Sequence, residues 1–312
     1  MDAADGKPVV AMIHVGALPG TPGQRQTLDE IARAACADAQ LYEAAGVDCL
    51  MLENMHDVPY LRGAVGPEIV AAMTMLAVAV RAVTRLPIGL QILAAADIEA
   101  MAVAHAAGLD FIRTECFAFA HIADEGIMES NAAKLLRYRR QIGATGVQVW
   151  ADIKKKHSSH AWTADLTLGD MAEAAEFMGA ETIIVTGAST GKPPTAAEVT
   201  RARDRCQLPV FVGSGVSMEN IGELLMASDG LIVGSHFKRN GHWAHEIEEE
   251  RVREFMAEAA RVQSIGNSPL STPGTASGGG VAAAALEAVT SRPNKGSAGR
   301  VPMPPFPQKP RQ

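Results

Sequence analysis

Asp152-Ile153-Lys154-Lys155-Lys156-His157 puts a carboxylate, three amines and an imidazole into one short run, with His160 close behind. A lysine desolvated beside a carboxylate either stays charged in an ion pair or is driven toward its neutral, nucleophilic form. Those outcomes supply general acid–base catalysis or a Schiff-base amine. If the segment is a strand, its side chains alternate, so Asp152 and Lys154 share an inward face and are the expected catalytic pair. Lys156 and His157 are expected to line the same site, and Lys155 to be a solvated base.

Two glycine turns point to a second chemistry. Val212-Gly213-Ser214-Gly215-Val216 leads into a helix expected from about Met218, opened by Ser217-x-x-Asn220, and Ile232-Val233-Gly234-Ser235 repeats the pattern. Glycines let the backbone approach an anion, and free amides at the start of a helix hold phosphate without a cation. Gly213, Ser214, Gly215, Gly234 and Ser235 are therefore the expected phosphate-binding residues, with Lys238 as a neutralising charge. The alternative is that the glycines only permit tight turns. His14, Glu53 and Asp152 have the right chemistry to share a divalent metal if their strands bring them together, though no HxH or HExxH spacing marks such a site. No cofactor is fixed by the sequence.

These residues need a scaffold that gathers distant chain positions. Eight short apolar runs fit strands buried on both faces: Val9–Val15, Asp48–Asn54, Pro87–Leu93, Phe111–Phe117, Gln148–Ile153, Glu181–Gly187, Pro209–Gly215 and Gly230–Phe237. Between them lie segments with helical spacing, such as Ile31, Ala35, Leu41, Tyr42 behind a Thr27-x-x-Glu30 capping box. Eight alternations over residues 1–263 predict an α/β fold of the (β/α)8 TIM-barrel type, and the first turn lacks GxGxxG, against an open dinucleotide-binding sheet. A barrel places its site at the carboxyl ends of the strands. That nominates His14, Glu53, Asn54 and His56 from the first two strands, Gln91 from the third, Arg113 and Glu115 from the fourth. Asp152, Lys154, Lys156 and His157 come from the fifth, Thr186 and Ser189 from the sixth.

The net charge of −7 and pI near 5.7 exclude a basic nucleic-acid footprint. The longest apolar stretch, Ile69 to Val83, is broken by Thr74 and Arg81 and falls short of a membrane span. Cys36, Cys49, Cys116 and Cys206 are scattered without paired spacing, so reduced core thiols and a cytoplasmic location are expected. Residues 264–312 are expected to be a disordered tail. They hold Gly278-Gly279-Gly280, eight prolines, five bases and one acid, leaving −11 on the preceding chain. The Pro-rich end offers a polyproline II ligand for a partner, and self-association of the barrel is a further expectation.

Taken in order, Met12-Ile13-His14-Val15-Gly16-Ala17-Leu18-Pro19-Gly20, Glu53-Asn54, Val65-Gly66-Pro67-Glu68, Asp124-Glu125-Gly126, Leu136-Arg137-Tyr138-Arg139-Arg140, Asp152–His157, Val185-Thr186-Gly187, Val212–Gly215 and Ile232–Lys238 resemble the BtpA family. The resemblance implies a barrel of the ribulose-phosphate-binding type. From the cyanobacterial factor that gives the family its name, it also implies a role in photosystem I biogenesis. Ala94-Ala95-Ala96 stands where many bacterial members carry Arg-Asn-Asp, Gln91 stands where Asn is frequent, and the Lys-Lys-Lys-His segment looks like the eukaryotic-type branch. Two readings result. One is an enzyme acting on a small phosphorylated metabolite (a sugar or nucleoside phosphate) by isomerisation, aldol cleavage or glycosidic cleavage. The other is a non-catalytic assembly factor for a membrane complex.

Overall fold

The structure is a computed structural model describing residues 6–187 and 192–266. The barrel strands are β1 (Val9–His14), β2 (Cys49–Glu53), β3 (Ile88–Gln91), β4 (Phe111–Thr114), β5 (Gln148–Ile153), β6 (Thr182–Val185), β7 (Val210–Val212) and β8 (Gly230–Val233). They form one closed parallel barrel in sequence order, β8 pairing back to β1. Helices α1 (Leu28–Ala44), α2 (Pro67–Val83), α3 (Asp97–Ala107), α4 (Ala132–Gln141), α5 (Leu168–Phe177), α6 (Ala196–Arg203), α7 (Ile221–Ala227) and α8 (Glu249–Gly266) follow the strands one by one. The expected barrel is present. All expected strands but the fifth are longer than the observed ones, because the chain leaves the ladder as soon as its side chains reach the barrel mouth. The expected boundary at 263 falls inside α8, which runs to Gly266. Residues of the expected tail from 267 onward lie outside the described residues, as does Ser189.

The barrel interior is built in layers. Val10, Met12, Cys49, Met51, Phe111, Trp150, Ile184, Phe211 and Ile232 form a closed inner cluster. Phe111 stacks on Trp150 with centroids 3.8 Å apart, and Trp150 meets Phe211 at 4.8 Å. Space for these rings comes from Gly89 and Gly230, where a Cβ would run into the Phe111 and Phe211 rings respectively. Two residues further along each strand the inward position changes character: His14, Glu53, Gln91, Arg113, Asp152, Thr186, Gly213 and Gly234. The strand alternation thus sets one polar or glycine position per strand directly above an aromatic plug.

At the opposite end, acids fix the strands in pairs. Asp48, Asp110, Glu181 and Asp229, each just before an even-numbered strand, accept from an amide at the start of the preceding odd strand: Val9 at 2.8 Å, Ile88 at 2.8 Å, Val149 (second in β5) at 2.7 Å and Val210 at 2.9 Å. Each satisfies an amide that the parallel ladder leaves open. The Thr27–Glu30 capping box is formed as expected. The helix expected near Met218 instead starts at Ile221. The Asn220 side chain accepts from Ser217 N and donates to Gly215 O, both at 2.8 Å, holding residues 217–220 as a turn. A small antiparallel sheet, unanticipated in the sequence, joins His121–Ala123 to Gly126–Met128 and to Ser158–Ser159. The four cysteines are free, three of them buried.

Asp97, buried in the first turn of α3, ties three elements together. Its Oδ2 accepts from Thr114 Oγ1 at 2.7 Å and from Asn131 Nδ2 at 3.3 Å, linking α3 to the end of β4 and the start of α4. Burial raises this carboxyl from 3.8 to about 7, against the pull of those two hydrogen bonds. The folded chain therefore holds the proton where the unfolded chain has lost it, and stability falls as pH rises from about 4 to 7. The loss at higher pH is on the order of 4 kcal/mol. Asp97→Asn keeps the acceptor without the charge. Calorimetry should find its Tm several degrees above wild type at pH 8 and level with it at pH 5; equal destabilisation at both would show that the carboxylate form is required.

Candidate active site

The polar layer opens into a cavity of about 380 Å³ at the carboxyl end of the barrel. His14, Glu53, Arg113 and Lys156 line it. Gly213–Ser217 and Gly234–His236 line it as well, together with Pro193 and Asn220. Nine nominated residues are brought together here: His14, Glu53, Arg113, Lys156, Gly213, Ser214, Gly215, Gly234 and Ser235.

His14 and Glu53 are register partners on β1 and β2, and His14 Nε2 lies 3.4 Å from Glu53 Oε2. The other ring nitrogen, Nδ1, is 3.2 Å from the Trp243 carbonyl oxygen, which can only accept. Nδ1 therefore carries the hydrogen, and Nε2 offers a lone pair to Glu53. Burial, with Lys238 nearby, lowers His14 to about 3, and burial raises Glu53 in spite of Arg113 and Lys156. Both shifts favour a single proton held between a carboxyl and a neutral imidazole, the arrangement of a general acid–base pair.

Arg113 Nε and Nη2 each donate to Asp152 at 3.0 Å, a bidentate bond with both side chains buried. Burial opposes the guanidinium charge, but Asp152 outweighs it and raises Arg113 further. This bond removes Asp152 from the cavity lining and engages both of its oxygens. The divalent metal considered for His14, Glu53 and Asp152 finds no support: among the described residues no group of three His, Cys, Asp or Glu converges as ligands. Gly213 has a packing reason, since a Cβ there would strike Ile184 and lie 3.2 Å from Arg113 Nη2.

Lys154 is the main correction. β5 stops at Ile153, Lys154 takes φ +52 and its side chain is exposed, so the alternation that would have paired it with Asp152 is broken. His157, also left-handed at φ +55, is exposed. Between them Lys155, expected to be solvated, is buried with Nζ 3.4 Å from Glu115 Oε1 and 3.9 Å from Glu125 Oε2. Glu115 thus belongs to a cluster beneath the small sheet. Lys156 takes the cavity position instead, its amide donating to Thr186 Oγ1 at 3.0 Å.

Other nominated residues have structural partners. Asn54 accepts from Leu93 N at 2.7 Å and donates to Asp57 at 2.9 Å, while Asp57 accepts from Leu18 N at 2.8 Å. Asn54 therefore fastens the first three strand ends to one another. Gln91 is buried next to Glu53 in register, with Oε1 lacking a partner. Lys238 is buried outside the cavity lining, where burial lowers it and Asp38 opposes that shift. His56 packs on Trp243 with centroids 4.9 Å apart. The glycine turns are also more structural than expected. Gly215 takes φ +69 and its missing Cβ faces the backbone of Lys192 and Pro193, and Ser214 Oγ accepts from Gly187 N at 3.0 Å. Gly234 is different: a Cβ there would sit 3.4 Å from the His14 ring, in ordinary contact, so its absence leaves that face of His14 open.

Several residues of the site had no signal in the sequence. Trp243, which orients His14, follows the last strand by ten residues. Glu125 and His121 reach the mouth only through the small sheet. The Asp124-Glu125-Gly126 turn was the available hint.

Among the described residues no helix is long and apolar enough to cross a membrane. In the solved structures, thiamine phosphate pyrophosphorylase from Pyrococcus furiosus superposes with a TM-score of 0.51 at 13% identity, covering 83% of this chain and 97% of that one. Mycobacterium tuberculosis tryptophan synthase gives 0.53 at 13%, covering 83% and 93%. At such identity these likenesses show the barrel fold. A Caenorhabditis elegans protein described as mitochondrial is 41% identical over 257 residues, 80% of this chain and 91% of its own. The Synechocystis photosystem I biogenesis protein BtpA is 33% identical over 250 residues, 80% and 86%. The BtpA family model matches residues 5–261, and with these relatives it shows that the chain belongs to the BtpA family.

Proposed function

We propose that this chain is an enzyme that binds a small phosphorylated metabolite, a sugar or nucleoside phosphate, in the barrel mouth and moves a proton through Glu53 and His14. The observation that carries this reading is one cavity of about 380 Å³ lined by the backbone turns after β7 and β8 together with a carboxyl–imidazole pair. That volume suits a small ligand, and turns in these two positions commonly hold phosphate in such barrels. Ser235 and the open face beside Gly234 are the best-placed groups for the phosphate, because Ser214 and Gly215 are already engaged by the neighbouring loop.

A thermal-shift series of sugar phosphates and nucleotides tests binding. At least one compound should stabilise the wild type by about 3 kcal/mol at a hundredfold excess over Kd. Ser235→Asp, which sets a carboxylate against the incoming phosphate, should keep its own Tm and lose that shift. No stabilisation by any phosphorylated compound, or an undiminished shift in Ser235→Asp, defeats the reading.

The shared proton is tested separately. In histidine-labelled protein, His14 should keep the nitrogen shifts of a neutral, Nδ1-protonated ring from pH 8 to pH 5. An ordinary histidine titrates near 6.5. Titration of His14 near that value would show that no proton is shared.

The name of the Synechocystis relative favours a second reading, an assembly factor without catalysis. Glu53→Gln separates the two in cells, since it alters the cavity and leaves the outer surface unchanged. Loss of function supports the enzyme, and full function supports the scaffold.

A further inference from the structure

The two central lysines after β5 have opposite surroundings. Lys155 sits between Glu115 and Glu125, and these carboxylates outweigh its burial and raise its affinity for a proton. Lys156 faces the cavity. Among the described residues it has no carboxylate within ion-pair distance, and its backbone amide, held by Thr186 Oγ1, is what fixes its place. Arg113, the other cation lining the cavity, is paired through Nε and Nη2 with Asp152. Burial, then the Arg113 charge, lowers Lys156 against the opposing pull of the Glu53, Asp152 and Glu115 carboxylates.

Burial and a neighbouring guanidinium both make the ammonium form of Lys156 harder to keep. Here the arrangement favours the free amine, and a carboxyl capable of giving and taking a proton lines the same cavity. Left-handed residues at Lys154 and His157 bracket the segment, and backbone strain of this kind is retained where the surrounding structure over-determines it. Lys238, also buried, lies outside the lining and faces Asp38, so it is not an equivalent candidate.

We propose that Lys156 is a nucleophilic amine that condenses with the aldehyde or ketone carbon of the phosphorylated substrate to form an imine. This rests on the phosphate-bound reading above and narrows it to substrates with a free carbonyl. The Nζ lone pair forms the C–N bond as the carbonyl π pair moves to oxygen, which takes the Glu53 proton. The nitrogen returns a proton to Glu53, the carbinolamine hydroxyl leaves as water with that proton, and the C=N bond forms. Amine, carbonyl and one proton from Glu53 give a protonated imine, water and the Glu53 carboxylate, with no oxidant or reductant. The protonated imine then draws electrons from an adjacent C–H or C–C bond, which suits isomerisation or aldol cleavage and gives no route to glycosidic cleavage.

The test treats the full chain with glyceraldehyde 3-phosphate, ribose 5-phosphate or pyridoxal 5′-phosphate, with glyceraldehyde as unphosphorylated control, and traps with sodium borohydride. Peptide mass spectrometry should find the reduced adduct on Lys156 at least tenfold above the exposed Lys154. Inorganic phosphate should suppress it, and the label should vanish from Lys156→Met and Lys156→Arg variants that melt like wild type. Labelling of Lys156 no stronger than that of Lys154 with every probe overturns the proposal, even if phosphorylated compounds still stabilise the protein and the binding reading survives. Strong Lys156 labelling by glyceraldehyde that phosphate does not suppress keeps the amine and removes the phosphate reading.

Discussion

The bidentate bond between Arg113 and Asp152 is the interaction on which the rest of the site depends. Two buried charges at the barrel centre are tolerated only because each satisfies the other with good geometry, and removing either partner would leave an uncompensated charge at a cost of about 3–5 kcal/mol. Gly213, just after β7, leaves room beside it: a Cβ there would lie 3.2 Å from the guanidinium and strike Ile184. The bond takes both Asp152 oxygens away from any ion. It also leaves a fixed positive group near Lys156, which adds to burial in disfavouring a second cation there. One pair thus decides what three neighbouring positions can be and do.

That pair sits in a layer whose placement follows from strand alternation. Phe111, Trp150 and Phe211 close the barrel below, and the next inward residue on each strand is polar or glycine. The plug excludes water from beneath, which is why His14 and Glu53 are both pushed toward neutrality. At the far end the four acids before the even strands act as clamps on the odd ones. They make the barrel a fourfold repetition of strand pairs, with the chemistry added only at the opposite face.

Much of this was legible in the sequence, for identifiable reasons. Strands buried on both faces read as short apolar runs, so all eight could be found, and their last residues named His14, Glu53 and Arg113. The repeat was legible too, in Gly46-Val47-Asp48, Gly108-Leu109-Asp110 and Gly179-Ala180-Glu181, although an amide clamp is recognised only once the strand register is known. Reading failed where the backbone stopped alternating. Nothing in three successive lysines says that the first takes φ +52, and one such residue exchanges the roles of Lys154 and Lys156. Lys155 was misjudged for a different reason: its partners Glu115 and Glu125 meet it only because a small sheet folds over the mouth. Asn54 was misjudged because a side chain that fastens loops has the same sequence signature as one that meets a ligand.

The charge balance inside the cavity connects the site to its proposed ligand. Arg113 cancels Asp152, and the proton between Glu53 and His14 leaves that pair neutral, so the state of Lys156 sets the sign of the wall. A phosphate placed against Lys156 would raise its affinity for a proton and suppress its nucleophilicity. Phosphate held by uncharged turns on β7 and β8 avoids this, since β8 is three strands around the barrel from β5. On the proposed reading, separating the anion from the amine would let a strongly charged substrate bind without protonating Lys156.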